Sequence, residues 1–218
     1  MTTNKALRWY NKLSLVHDLL SFNDWPYRDA RKIAIDTLDL QAGDTVIDLF
    51  CGTGINFAPV LAQIGEQGQL IGIDGSTGML AQARQRMQKA DWHPEQIQLL
   101  EQDVLQMAPH FLDTILPPNT IPKVLITLAL GVFPNYETVF TNIFNAMPSG
   151  THFALMEGYC QEGARGAWLI DFIGHSDCRR PVWEPVRALT VAYQETWVKP
   201  NFKFIDASLI VMSGVKQC

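Results

Sequence analysis

From residue 45 onward, short apolar runs rich in β-branched residues alternate with stretches of helical period, and few folds accommodate that alternation. The runs are 45–50 (TVIDLF), 69–73 (QLIGI), 97–100, 123–128 (KVLITL) and 152–157 (HFALME), most of them set off by Gly or Pro turn pairs. A run over 202–212 closes the series, and 193–198 is its expected antiparallel partner across the Pro200-Asn201 turn. Between them, 76–89 opens on a Ser N-cap and continues with helix formers. The stretch 136–147 places Val139, Phe140, Ile143 and Phe144 on one helical face before Pro148. Near-continuous apolar strands joined by helices imply a mostly parallel sheet covered on both faces. Two more helical segments, 4–20 and 26–38, precede the first strand and are expected to cap the sheet's carboxyl edge, where ligands of open α/β sheets bind.

Composition narrows the function classes. The chain has 218 residues, enough for one domain over 1–218, with lid helices in 1–40 and the sheet core in 41–218. Its net charge of −5 offers no cationic field for nucleic acid, so a small-molecule partner is expected. Cys51, Cys160, Cys178 and Cys218 form no C-x-x-C pair, which points to reduced thiols in a cytoplasmic protein and to no metal site. The amino terminus carries no apolar signal-peptide core, and the run 124–133 is far shorter than the roughly 20 residues of a membrane span.

The informative stretch is 46–57, VIDLFCGTGINF: a strand, an acid, a turn containing Gly52 and Gly54, and a helix start. Glycine lets the backbone turn sharply and approach a ligand. Asp74 ends the next strand 20 residues after Gly54, the place of a ribose-binding acid in nucleotide folds. Gln102-Asp103-Val104 follows the third strand, where a carboxylate and an adjacent amide can read an adenine edge. Phe57 stands where a dinucleotide fold has a small residue, and Asp48 would repel a pyrophosphate but favour a cationic ligand. The pattern therefore favours S-adenosylmethionine over NAD.

VIDLFCGTG, IGIDGSTGMLAQAR and EQDV resemble the successive motifs of class I S-adenosylmethionine-dependent methyltransferases. The run from GTGINF to RQRM is similar to the branch holding quinone-biosynthesis C-methyltransferases and bacterial phosphatidylethanolamine and betaine-lipid N-methyltransferases; RWYNKLSLVHDLL and DCRRPVWEPV resemble its lid helix and its lipid-amine members. The resemblance implies an α/β Rossmann-like, seven-stranded, mostly parallel sheet with an antiparallel last strand and an N-terminal helical lid. It implies that Asp48, Gly52, Thr53, Gly54 and Asn56 line the methionine part of the donor and that Asp74, followed by Gly75, holds its ribose. Met79, Asp103 and Val104 would contact the adenine, Leu128 and Ala129 would border the methyl, and Tyr10 would close the site. The departures are Phe50 at the first motif glycine, His17 at the second lid tyrosine, Lys123 where an acid is usual, and a lengthened loop over 105–122.

Candidate acceptor contacts are His17, Tyr27, Phe133, Tyr159 and His175, with His17 or Tyr10 as a base or positioning group; Trp168 and Trp183 are further aromatic candidates. Core packing or a solvated face is the competing reading of each. Methyl transfer needs alignment and exclusion of water more than a charged catalyst. The expected function is methylation of a small molecule or lipid headgroup, an amine slightly preferred, with a phenolic or quinol O- or C-acceptor as the alternative. A non-catalytic regulatory S-adenosylmethionine-binding module is the rival from another class. The product would be S-adenosylhomocysteine, the protein a monomer or homodimer, and Lys5, Arg8 and Lys12 on the first helix would permit peripheral membrane contact.

Overall fold

The computed structural model describes residues 25–174, 176–201 and 205–217. Its framework is one seven-stranded sheet in the order β3-β2-β1-β4-β5-β7-β6. The strands are β1 (Thr45–Leu49), β2 (Gln69–Asp74), β3 (Ile97–Glu101), β4 (Lys123–Thr127), β5 (His152–Tyr159), β6 (Val191–Val198) and β7 (Ser208–Val215). Strands β1 to β5 pair in parallel, and β7 runs antiparallel between β5 and β6. The expected mostly parallel sheet with an antiparallel last strand is what forms. The last strand begins later and runs further than the apolar run 202–212 suggested, because Ile205 and Ala207 pack in a small satellite core before the strand starts.

Period-2 alternation on strands buried on both sides sends successive residues to two cores. Ile47, Leu49, Ile126, Phe153 and Leu155 face α5 (Tyr136–Ala146), whose Val139, Phe140 and Ile143 are fully buried, along with α4 (Phe111–Ile115) and α7 (Trp183–Leu189). Val46, Leu125, Ala154, Met156 and Val211 face α1 (Arg28–Thr37), α2 (Phe57–Ile64) and α3 (Thr77–Ala90). The remaining helix, α6 (Ala167–Gly174), lies in the excursion after β5. The Cys160 amide closes that excursion by donating to the Cys178 carbonyl at 2.7 Å.

One expectation is corrected. The segment 26–38 forms a helix, but it does not cap the carboxyl edge. Ala30, Ala34, Ile35 and Leu38 are buried against the sheet face, where they join Leu209 and Val211 in the core. Burying that apolar stripe against a flat sheet removes more surface from water than a rim position would, at about 25 cal/mol per Å². The turn before the helix reaches the carboxyl edge, where the Trp25 and Pro26 carbonyls accept from Asn201. The segment 4–20, with Tyr10 and His17, lies outside the described residues, as does His175. No helix among the described residues is long and apolar enough to cross a membrane.

Candidate active site at the carboxyl edge

Strands β1 and β4 are neighbours whose onward connections run in opposite directions across the sheet, and a crevice opens at such a switch point. Beyond β1 the chain makes the turn 50–56. Phe50, Gly52 and Gly54 all lie in the left-handed region, at φ 58°, 54° and 76°. Glycine adopts that region freely; Phe50 does not, and strain of this kind persists only where the surroundings fix it. Here Phe50 packs on Phe133, with ring centroids 5.7 Å apart. A Cβ on Gly54 would lie 2.6 Å from the Phe57 ring, and one on Gly72 would lie 2.9 Å from the same ring. Phe57, at the place of a small helix–strand contact, is thus seated in space left by two glycines. A Cβ on Gly52, by contrast, would meet only the Phe50 carbonyl at 4.0 Å. That open backbone is the surface a ligand can approach.

Carboxylates hold the turn from both sides. Asp74 Oδ2 accepts from the Gly52 amide at 2.9 Å, and Oδ1 accepts from the Ser76 amide at 2.8 Å across Gly75. Asp48 sits one residue inside β1 and is fully buried, with the Asn56 side-chain amide donating to its two oxygens at 2.9 and 3.0 Å. Burial pushes its carboxyl up to about 7, while the Asn56 hydrogen bonds and the Arg31 charge pull it down. Asp48 therefore supports the turn from beneath instead of lining its surface. Arg31, from the first turn of α1, donates to Asn56 Oδ1 and, at 2.9 Å, to Thr127 Oγ1 at the tip of β4. Arg86 on α3 donates through Nε to the Thr53 carbonyl at 2.9 Å. Burial raises the Cys51 thiol well above its ordinary value, so it stays protonated and packs.

The third acid lies beside the second. The Gln102 amide donates to the Asp74 carbonyl at 3.1 Å, placing Asp103 next to the β2 tip. Asp103 caps the 3-10 turn Val104–Gln106 by accepting from the Leu105 amide at 3.0 Å. Met79, nearly fully buried in the first turn of α3, donates its amide to Ser76 Oγ at 3.2 Å.

A second buried carboxyl organises the other half of the edge. Glu157, near the end of β5, accepts from the Ala129 and Leu130 amides, each at 2.5 Å. Those residues follow Leu128, which is left-handed at φ 54°, and lead through the 3-10 turn Leu130–Val132 to Phe133. Burial pushes the Glu157 carboxyl up to about 7 against the pull of the Leu130, Ala129, Gly131 and Gly158 amides. Tyr159, two residues on, meets Trp183 and Trp197 edge to face, with centroids 4.9 and 5.7 Å away. Trp168 is 70% exposed, on the outside of the excursion.

The structure thus brings Asp48, Gly52, Thr53, Gly54, Asn56, Asp74, Gly75, Met79, Asp103 and Val104 to three adjacent strand tips. Leu128 and Phe133 lie at the fourth tip and Tyr159 at the fifth, with Tyr27 at the start of α1. Sequence reading missed Arg31, Arg86, Thr127, Glu157 and Trp197. Two of these had a signal: Arg31 falls between Tyr27 and Ile35 on the apolar face of its helix, and Glu157 continues the buried alternation of Phe153 and Leu155. A charge at a core position is a buried polar group that needs a partner.

Residues 40–171 match the family model described as a methyltransferase domain. The chain belongs to that family. The methyltransferase-domain chain is 27% identical over 148 residues to the demethylmenaquinone methyltransferase of Oceanobacillus iheyensis, covering 68% of this chain and 58% of that protein. It is 33% identical over 109 residues to the 2-phytyl-1,4-naphtoquinone methyltransferase of a Nostoc species, covering 48% and 46%. The chain therefore spans about half the length of these curated relatives. Among solved structures, phosphoethanolamine N-methyltransferase 2 of Haemonchus contortus, in complex with S-adenosyl-L-methionine, aligns with a TM-score of 0.69 at 12% identity, covering 95% of this chain and 57% of that one. The [4+2]-cyclase SpnF aligns with a TM-score of 0.65 at 13% identity, covering 87% and 80%. A cyclase on the same fold means that the fold by itself does not fix the reaction.

Proposed function

We propose that this protein is an S-adenosylmethionine-dependent methyltransferase acting on a small molecule, and that the acceptor is an electron-rich ring of the quinol type. The observation that carries the donor assignment is the Asp74 carboxylate. It ends β2 and grips the Gly52 amide, with a second carboxylate, Asp103, just beyond the end of the next strand. The residues fit the donor: Gly52 leaves its backbone open, and the Asp74 carboxylate, an acceptor suited to a ribose diol, stands at the end of β2 beside it. When bound, the donor supplies a methyl group on a cationic sulfur.

The chain's own residues do the rest. Asp74 and the glycine turn bind, and Asp103 with the Val104 amide faces the base. Arg31, Asn56 and Asp48 keep the turn from relaxing. Leu128, Ala129 and Phe133 exclude water at the reacting end, where alignment of the reacting atoms near ~3–3.5 Å is worth most.

In the sequence a ring acceptor is the alternative to an amine, which is slightly preferred because it needs little help from a base. Two sequence relatives with quinone-type substrates in their names support placing the ring acceptor first. Incubation with methyl-labelled S-adenosylmethionine and a panel of quinols, phenols and amines tests the reading. Label in a ring carbon of a quinol is expected. Label only in amines moves the acceptor class, and label in none of the panel overturns the small-molecule reading.

A further inference from the structure

The excursion between β5 and α7 closes on two cysteines that have no part in the donor site. Cys160 directly follows β5, Cys178 ends the segment that carries α6, and the Cys160 amide donates to the Cys178 carbonyl at 2.7 Å. Both side chains are buried, and the Cys178 thiol donates to the Cys160 sulfur. We infer that Cys160 and Cys178 form a dithiol–disulfide site, reduced in the structure and closed by a hydroperoxide into a bond that ties the far end of the excursion to the end of β5.

The first reason is geometry. A main-chain bond between two residues sets their Cα atoms about 5.5 Å apart, as in a strand pair, inside the span of about 4.4–6.8 Å that a disulfide bridges. The thiol hydrogen bond shows that the side chains also point at each other. The second is reactivity. The bond from the Cys178 thiol holds the Cys160 thiol below its ordinary value, and the thiolate is the form that attacks a peroxide. The Cys160 sulfur attacks one peroxide oxygen, the O–O bond breaks, and the departing hydroxide takes up the Cys160 proton, leaving a sulfenic acid and water. The Cys178 sulfur then displaces hydroxide from the Cys160 sulfur, and its own proton leaves with that hydroxide as a second water. The two thiols lose two electrons, and the peroxide gains them. The third is access. Among the described residues the excursion rests on a satellite core of Cys160, Ala167, Cys178, Ile205 and Ala207. A segment with so few buried contacts opens well below the cost of global unfolding, and a small oxidant then reaches the pair. The site also bears on the loop after β4. The Asp177 amide, at 3.0 Å, and the Arg180 guanidinium both donate to the Gly131 carbonyl, so closing the bond braces that loop.

The test treats the full reduced chain with hydrogen peroxide and reads its intact mass, its cysteine peptides and its amide exchange. Loss of two hydrogens per chain is expected, reversed by dithiothreitol, with the link mapping to Cys160 and Cys178. Exchange of the Cys160 amide requires the base of the excursion to open. Joining the ring 160–178 lowers the entropy of the open form and is expected to slow that exchange at least about tenfold. In Cys178→Ser, dimedone is expected to trap a sulfenic acid on Cys160. Oxidation of the two cysteines to separate sulfinic acids overturns the inference, as does a link from either to Cys51 or Cys218. Both thiols left free once Cys218 is oxidised also overturns it, and so does an exchange rate equal in the oxidised and reduced chains. The wild-type mapping and exchange decide the matter even where the serine variant fails to fold.

Discussion

Asp48 and Glu157 lie on strands separated only by β4, on opposite faces of the sheet, and burial pushes both carboxyls up to about 7. They anchor neighbouring turns by different means. Asp48 is satisfied by the Asn56 side chain, which Arg31 and Thr127 hold in turn. Glu157 is satisfied by main-chain amides of the loop after β4. The turn after β1 therefore depends on four side chains being the right ones, and the loop after β4 on one carboxylate and a backbone path. A loop fixed through its amides can change its side chains without losing its shape.

The two halves should differ most at their glycines. Gly54→Ala forces a left-handed residue to overlap the Phe57 ring, so a loss of about 4 kcal/mol is expected, with donor binding abolished. Gly131→Ala places its Cβ at ordinary contact distance, 3.4 Å from Glu157 Oε2, and is expected to cost less than about 1 kcal/mol. Thermal melts of both variants, with donor titrations, check the contrast; equal losses would break it.

The carboxyls themselves supply the next largest effect. Both pKa values are raised on folding, so the native state binds more protons than the unfolded chain between the ordinary carboxyl values and about 7. Their stabilising contribution is full below that window and is lost as pH rises through about 7. From pH 5.5 to 8 the loss is about 2 kcal/mol per group. Asp48→Asn and Glu157→Gln should each flatten the stability–pH curve by about half, measured by urea unfolding at several pH values. A curve unchanged in either variant assigns the titration elsewhere.

Smaller effects separate the halves in function. Arg86→Ala removes the hydrogen bond to the Thr53 carbonyl and should weaken S-adenosylhomocysteine binding about tenfold without altering acceptor affinity. Phe133→Ala removes the contact on Phe50 and should change turnover by no more than about tenfold, with donor affinity within about threefold. Paired donor and acceptor titrations read both; an Arg86 effect on the acceptor alone would contradict the division.

Much of this was legible in the sequence because parallel strands buried on both faces are written as unbroken apolar runs. The runs 45–50, 69–73 and 123–128 each lie within one residue of the strand formed. The acids at the strand tips were legible for the same reason, since a carboxylate at the end of such a run has few structural uses. The burial of Asp48 was not, because adjacency to a glycine turn does not tell whether a side chain points above or below it. The role of 26–38 was misplaced because an amphipathic helix carries no record of which surface it covers. Glu157 and Trp197 depend on β5 and β6 meeting through β7, a pairing no local pattern encodes.

The most direct measurement is calorimetric titration of S-adenosylhomocysteine into the wild-type chain and Asp74→Asn at one pH. One site per chain in the wild type is expected, with affinity at least about thirtyfold lower in the variant, as befits loss of charge-assisted bonds to a diol. Equal affinity in the two proteins, or none in either, would contradict the assignment of the β1–β3 tips as the place where the donor is held.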